Sequence, residues 1–221
     1  MSNAEMGTKA APSWAERKIW RAGLLARTVW LLAFVALFAL VPMLADRWAY
    51  DHAHLARIYD QDWARLLRQM GWFPTWMLAS LTLWLTQRKL DAALAKTHAQ
   101  LLFFAPALAG IVCELLKLTI RRERPMIHDG DYGFRPWEDR PFSTAGLGMP
   151  SSHTMVAFAA ATVLARIFPG ARWVWYALAA GCAATRVIDR AHFVSDVSLG
   201  ALLGWSIGWG AWIALRKKPT Y

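Results

Sequence analysis

The sequence predicts an all-α integral membrane protein, a six-transmembrane helix bundle. Three observations lead there. Of 221 residues, 57% are hydrophobic and 18% charged, where an ordinary soluble domain is about 45–50% apolar and about 25% charged. That surplus needs more than a small core to bury it. The 14 tryptophans suit a lipid–water interface, where indole rings collect. The net charge of +10 follows the order of the apolar stretches rather than marking one basic patch.

Six apolar stretches carry the expected spans: 28–45, 72–86, 101–116 with only Glu114 charged, 154–165, 173–185, and 193–215 with only Asp196 charged. A bilayer core needs about 20 helical residues. The first and sixth come close to that alone. The fourth and fifth reach it only if the polar residues at one end, 150–153 and 186–189, lie inside the membrane boundary. Polar groups there are costly and usually functional. The first stretch is too long for a secretory h-region and reads as an uncleaved anchor. Cys113 and Cys182 both sit inside apolar runs, which excludes a disulfide framework.

Charge gives the orientation. With the N-terminus inside and six alternating spans, 13 basic and three acidic residues fall inside, a net of +10, and the outer segments are neutral. The span ends agree with the positive-inside rule: Arg88-Lys89 follows the second span and Arg216-Lys217-Lys218 the sixth. Topology therefore accounts for the whole basic surplus, and no nucleic-acid partner is needed. The expected division is a cytoplasmic tail over 1–23, one membrane domain over 24–217 with outer loops 46–70 and 126–149, and a cytoplasmic tail over 218–221. Within the first loop, Leu55, Ile58, Trp63, Leu66 and Leu67 approximate helical spacing and predict an interfacial amphipathic helix. The second loop, rich in Gly, Pro, Asp and aromatics, predicts a lid or binding loop. Gly200, Gly204 and Gly208 form a small-residue stripe, read as a packing face within the molecule.

Polar clusters fall at the outer ends of the third to sixth spans. Lys117 and Arg124 are seven residues apart, on one side if the helix continues, and two fixed cations on one face suit a multiply charged anion. The plain alternative is a basic cap at a helix end. Pro150-Ser151-Ser152-His153 opens the fourth span; free N–H groups and hydroxyls there make an anion site or an ordinary N-cap. His192 and Asp196 are four apart, so a carboxylate can hold one imidazole nitrogen as N–H and free the other. Arg186 offers a planar fork to phosphate. A metal site from His128, Asp129, Asp131 and His153 lacks any recognised ligand spacing.

These motifs resemble the three-part signature of the type-2 phosphatidic acid phosphatase family, the membrane lipid phosphate phosphatases. The signature reads here Lys117…Arg124-Pro125, then Pro150-Ser151-Ser152-His153, then Thr185-Arg186…His192…Asp196. Ser152 stands where the family usually has Gly, and Thr185 where it usually has Ser. The resemblance implies a lipid phosphatase of the bacterial inner membrane with its active site on the outer face. His192 would form a phosphohistidine with Asp196 orienting it, and His153 would protonate the leaving oxygen and then activate water. Lys117, Arg124, Ser151, Ser152 and Arg186 would bind phosphate. It implies no metal and no cofactor. The implied partners are the bilayer and a phosphorylated lipid: undecaprenyl pyrophosphate, phosphatidate, phosphatidylglycerophosphate or lipid A phosphate. A phosphotransferase of the same family and a non-catalytic lipid-binding or transport protein are the alternatives.

Overall fold

The structure, a computed structural model, describes residues 28–30, 33, 36–38 and 40–215. It divides into two units, residues 1–37 and 38–221. Every described residue of the first unit is helical. The expected N-terminal tail, part of the first apolar stretch and the C-terminal tail lie outside the described residues. The second unit carries all residues of the candidate site.

The first apolar stretch, expected through Ala45, turns at Val41–Pro42, where proline has no N–H to continue an i→i−4 ladder. Residues 43–45 belong instead to helix α1 (Met43–His52). The predicted amphipathic helix over 55–67 does not form as one piece. Arg57 takes a left-handed conformation (φ 54°), a short 3₁₀ turn covers Ile58–Asp60, and α2 (Asp62–Gln69) follows. Five further helices match the remaining apolar stretches: α3 (Phe73–Gln87), α4 (Ala92–Ile120), α5 (Ser152–Ile167), α6 (Arg172–Ile188) and α7 (Val194–Leu215). Among the described residues, α4 with 29 residues and α7 with 22 are long and apolar enough to cross a membrane, and α5 is a shorter apolar helix.

Helix α5 is the centre of the bundle. Nearly its whole length is buried, and it packs against α4, α6 and, most extensively, α7. Its alanine-rich sequence lets neighbours come close, and the glycine stripe of α7 completes the fit. A Cβ on Gly204 would lie 2.2 Å from the Met155 carbonyl oxygen, and one on Gly208 2.7 Å from that of Ala159. The stripe is thus filled within the molecule, as the sequence suggests. Cys113 and Cys182 are free and buried.

The segment between α4 and α5 is tied down rather than loose. Isolated antiparallel bridges join Arg122 to Phe134 and Glu123 to Leu147. The buried Arg121 guanidinium donates to the carbonyls of Arg135, Pro136, Asp139 and Pro141. Arg135, also buried, donates to those of Ser143 and Ala145 and to Glu123. Two arginines thereby supply the backbone bonds that a loop without strands lacks.

Candidate active site

Helix α4 ends one turn after Lys117, and Arg121 takes a left-handed φ of 57°. The helix therefore does not continue to Arg124, and the two cations do not share a helix face as expected. Arg124 is extended (φ −69°, ψ 148°) before Pro125, as a residue preceding proline prefers. Its side chain still reaches the same region. Burial and the neighbouring Arg186 guanidinium hold it below the usual arginine range. The Nε atoms of Arg124 and Arg186 are both buried without a hydrogen-bond partner. Asp189 pairs with Arg186 at 3.5 Å, but one carboxylate against two guanidinium groups with unused Nε donors leaves an excess of positive charge that suits an anion.

Lys117 is buried and donates from Nζ to Glu114 Oε1 at 2.8 Å and to Ser152 Oγ at 3.0 Å. The hydroxyl at the position usually held by Gly thus takes one of the lysine's donors. Ser151, expected to bind phosphate, has its backbone donor already committed. Its N–H donates to the Asp196 carbonyl at 3.1 Å and its hydroxyl accepts from Thr154. The first of these bonds fastens the start of α5 to the start of α7, and the second closes the first turn of α5. The next N–H groups, of Ser152 and His153, precede the first intrahelical bond, from Met155 to Ser151, and belong to the unsatisfied first turn.

His192 lies just before α7, and Asp196 in its first turn, so the pair does not sit on one helix face. The His192 Nδ1 is 2.9 Å from the Gly148 carbonyl oxygen and 3.6 Å from Asp196 Oδ2. A carbonyl only accepts, so Nδ1 carries the proton and Nε2 keeps its lone pair. Burial pushes the imidazole down to about 4, against the opposing pull of Asp196. Asp196 is fully buried; it accepts from the Phe193 N–H at 2.8 Å and from Arg122. Arg122 also donates to Ser195 Oγ at 2.6 Å, with its guanidinium 5.1 Å from the rings of both Tyr132 and Phe193. Beyond it, Asp46 accepts from the Ser195 N–H, the Ser195 hydroxyl and Tyr132. The histidine thus rests on a buried chain of alternating charge, Asp196, Arg122 and Asp46, linked through Ser195.

His153 lies in the first turn of α5, and the chain after α2 presses on it: a Cβ on Gly71 would be 2.5 Å from His153 Cβ. Arg186, Arg68, His192 and Lys117 all lie near enough to act on its charge. Arg186 is anchored by donating to the Tyr59 hydroxyl at 2.6 Å. Of the residues weighed and set aside as metal ligands, His128 bonds Glu123, Asp129 bonds Tyr50, and Asp131 pairs with Arg47.

Sequence reading singled out both histidines, Asp196 and the cations, which the fold brings into one region, but not Gly148, Gly71, Arg122, Asp46 or Tyr59 around them. Asp46 had a usable signal, a lone acid at the end of an apolar run. The Gly148 contribution is a backbone carbonyl, which no side-chain pattern reports.

The fold and site define a helical protein in which a buried, oriented histidine faces clustered cations at the ends of apolar helices. The PAP2 superfamily model matches residues 99–219, and the chain belongs to that superfamily. It is similar to a lipid A 1-phosphatase of Rhizobium johnstonii, 36% identical over 122 residues, 54% of this chain and 46% of the relative. The lipid A 1-phosphatase of Porphyromonas gingivalis is 38% identical over 103 residues, 43% of this chain and 22% of the relative. That of Rhizobium etli is 34% identical over 122 residues, 54% and 49% of the two chains. The chain matches less than half the length of each of these relatives. No solved structure matches it significantly.

Proposed function

We propose that the protein is an integral membrane lipid phosphatase, a six-span bundle that removes phosphate from a lipid headgroup at the outer membrane face. Both termini lie on the cytoplasmic side of the inner membrane in this reading, which rests on the placement of Lys and Arg. The observation that carries the chemistry is the His192 Nδ1–H bond to Gly148, which leaves Nε2 free within the field of Arg124 and Arg186, whose Nε atoms have no partner. The Nε2 lone pair attacks phosphorus as the ester P–O bond breaks, and His153 protonates the departing oxygen. His153 then takes a proton from water, whose oxygen attacks phosphorus and expels His192. Lys117, Arg124, Arg186 and the first-turn N–H groups of α5 neutralise the charge on the non-reacting oxygens, the work a metal does elsewhere.

The names of the relatives favour lipid A phosphate as substrate over undecaprenyl pyrophosphate, phosphatidate and phosphatidylglycerophosphate. The test is phosphate release by the purified full chain from a panel of these lipids, with and without EDTA. Release from at least one, resistant to EDTA and blocked by vanadate, is expected. Protein-bound ³²P should be trapped in the wild type under a non-acid quench and be absent from His192→Ala. Activity lost on chelation and restored by Zn²⁺ or Mg²⁺ would falsify the metal-free route.

A further inference from the structure

An open cavity of about 270 Å³ adjoins the site and has no part in the chemistry above. It is lined by Tyr59, Arg65, Arg68, Gln69, Trp72 and His153. His153 is the group assigned to the leaving oxygen, so the cavity lies where the rest of the substrate headgroup must go. Its walls are largely carbon, the ring faces of Tyr59 and Trp72 and the stems of the long side chains, with the Arg65 and Arg68 guanidinium groups and the Gln69 amide as the polar groups among them. A headgroup entering there meets ring faces to pack against and guanidinium and amide donors at its edge.

The two arginines differ. Arg65 is paired with Asp62. The Arg68 guanidinium lies 4.6 Å from the centre of the Tyr59 ring, and among the described residues no acidic side chain pairs with it. The same ring carries Arg186 at 5.6 Å, and its hydroxyl accepts from Arg186. One tyrosine therefore separates a cation of the phosphate site from a second cation facing the cavity. Asp189 pairs with Arg186 at 3.5 Å on one side of the ring, whereas Arg68 on the other has no such partner, which leaves its charge open to an anion in the cavity.

We propose that this cavity is a second anion subsite, in which Arg68 binds another negatively charged group on the leaving side of the substrate. The inference rests on the lipid phosphatase reading and deepens it by naming a substrate class: lipids whose headgroup carries two anionic groups. The second anion is either the inner phosphate of a pyrophosphate or a phosphate further along a polar headgroup. Arg68 contributes to binding, not to bond breaking, so its loss acts on KM.

The test uses the full chain in detergent with two matched pairs of substrates. One pair is farnesyl pyrophosphate and farnesyl phosphate. The other is an acylated glucosamine disaccharide with two phosphates and the same lipid with one. Arg68→Gln should raise KM for the doubly anionic member of at least one pair about tenfold, the worth of a charged hydrogen bond, with kcat and the singly anionic member within about twofold. Arg68→Lys should recover part of the loss. The pair that shows the difference identifies the source of the second anion. Equal shifts in both members, as a general attraction to anionic surfaces would give, or no shift in either pair overturn the subsite while leaving the phosphatase reading standing. Failure of the wild type to release phosphate from any of the four overturns the subsite, and failure on phosphatidate and phosphatidylglycerophosphate as well overturns the phosphatase reading.

Discussion

His192 depends on a backbone carbonyl for its tautomer and on a buried carboxylate for its charge balance. Gly148 accepts the Nδ1 proton at 2.9 Å while Asp196 stands off at 3.6 Å, so tautomer and electrostatics are set by different groups. Gly148 has little room for a side chain: a Cβ there would meet Asp196 Oδ2 at 3.0 Å. Arg122 balances the Asp196 charge, and removing one partner of such a buried pair costs about 3–5 kcal/mol. The depressed pKa has a visible consequence. An ordinary imidazole titrates near 6.5, and burial lowers His192 to about 4. The nucleophile is neutral above that value, so the acid limb of kcat/KM on an activated aryl phosphate, which needs little help from His153, should appear near pH 4. A limb near 6.5 would count against the burial argument. The same shift links to stability. The unfolded chain takes up this proton below about 6.5 and the folded chain resists to about 4, so the group's contribution is present above 6.5 and declines as pH falls through that window.

At the level of helices, α5 and α7 depend on contact between backbones. Gly204→Ala would push a methyl group into the Met155 carbonyl, which cannot rotate away, whereas a Cβ on Gly210 meets nothing within 4 Å. Thermal unfolding in detergent should show Gly204→Ala destabilised by about 1–3 kcal/mol and Gly210→Ala unchanged within about 0.5 kcal/mol. Equal effects would mean that the stripe is not a packing surface. The helices were legible because long charge-free runs are hard to mistake. Their ends were less so. Lys117 to Arg124 reads as two continuous turns, but the left-handed Arg121 stops the helix between them. Residues 55–67 have helical spacing, yet the left-handed Arg57 divides them. A positive φ at arginine leaves no mark in a sequence, whereas one at glycine is expected. The site residues were legible for the opposite reason: His153, His192 and Asp196 are polar groups beside apolar runs, where each needs a justification.

For the whole molecule, the proposed orientation places the 126–149 segment outside and Lys217 inside. Phe142 is 90% exposed, so Phe142→Cys should react with an impermeant thiol reagent in sealed cells, and Lys217→Cys only after lysis. The reverse pattern inverts the bundle. The arginines around this segment also decide how it meets a protease. Arg124, Arg135 and Arg140 are each followed by proline, whose ring keeps trypsin from cutting the bond. Arg121 and Arg122 are buried. The stretch with the most basic residues on the outer side thus offers trypsin no ready cut, while the exposed Arg57, in the irregular turn before α2, does. Trypsin added to spheroplasts should cut after Arg57 first and leave residues 121–149 joined in a single piece, read by mass spectrometry of the released and retained fragments.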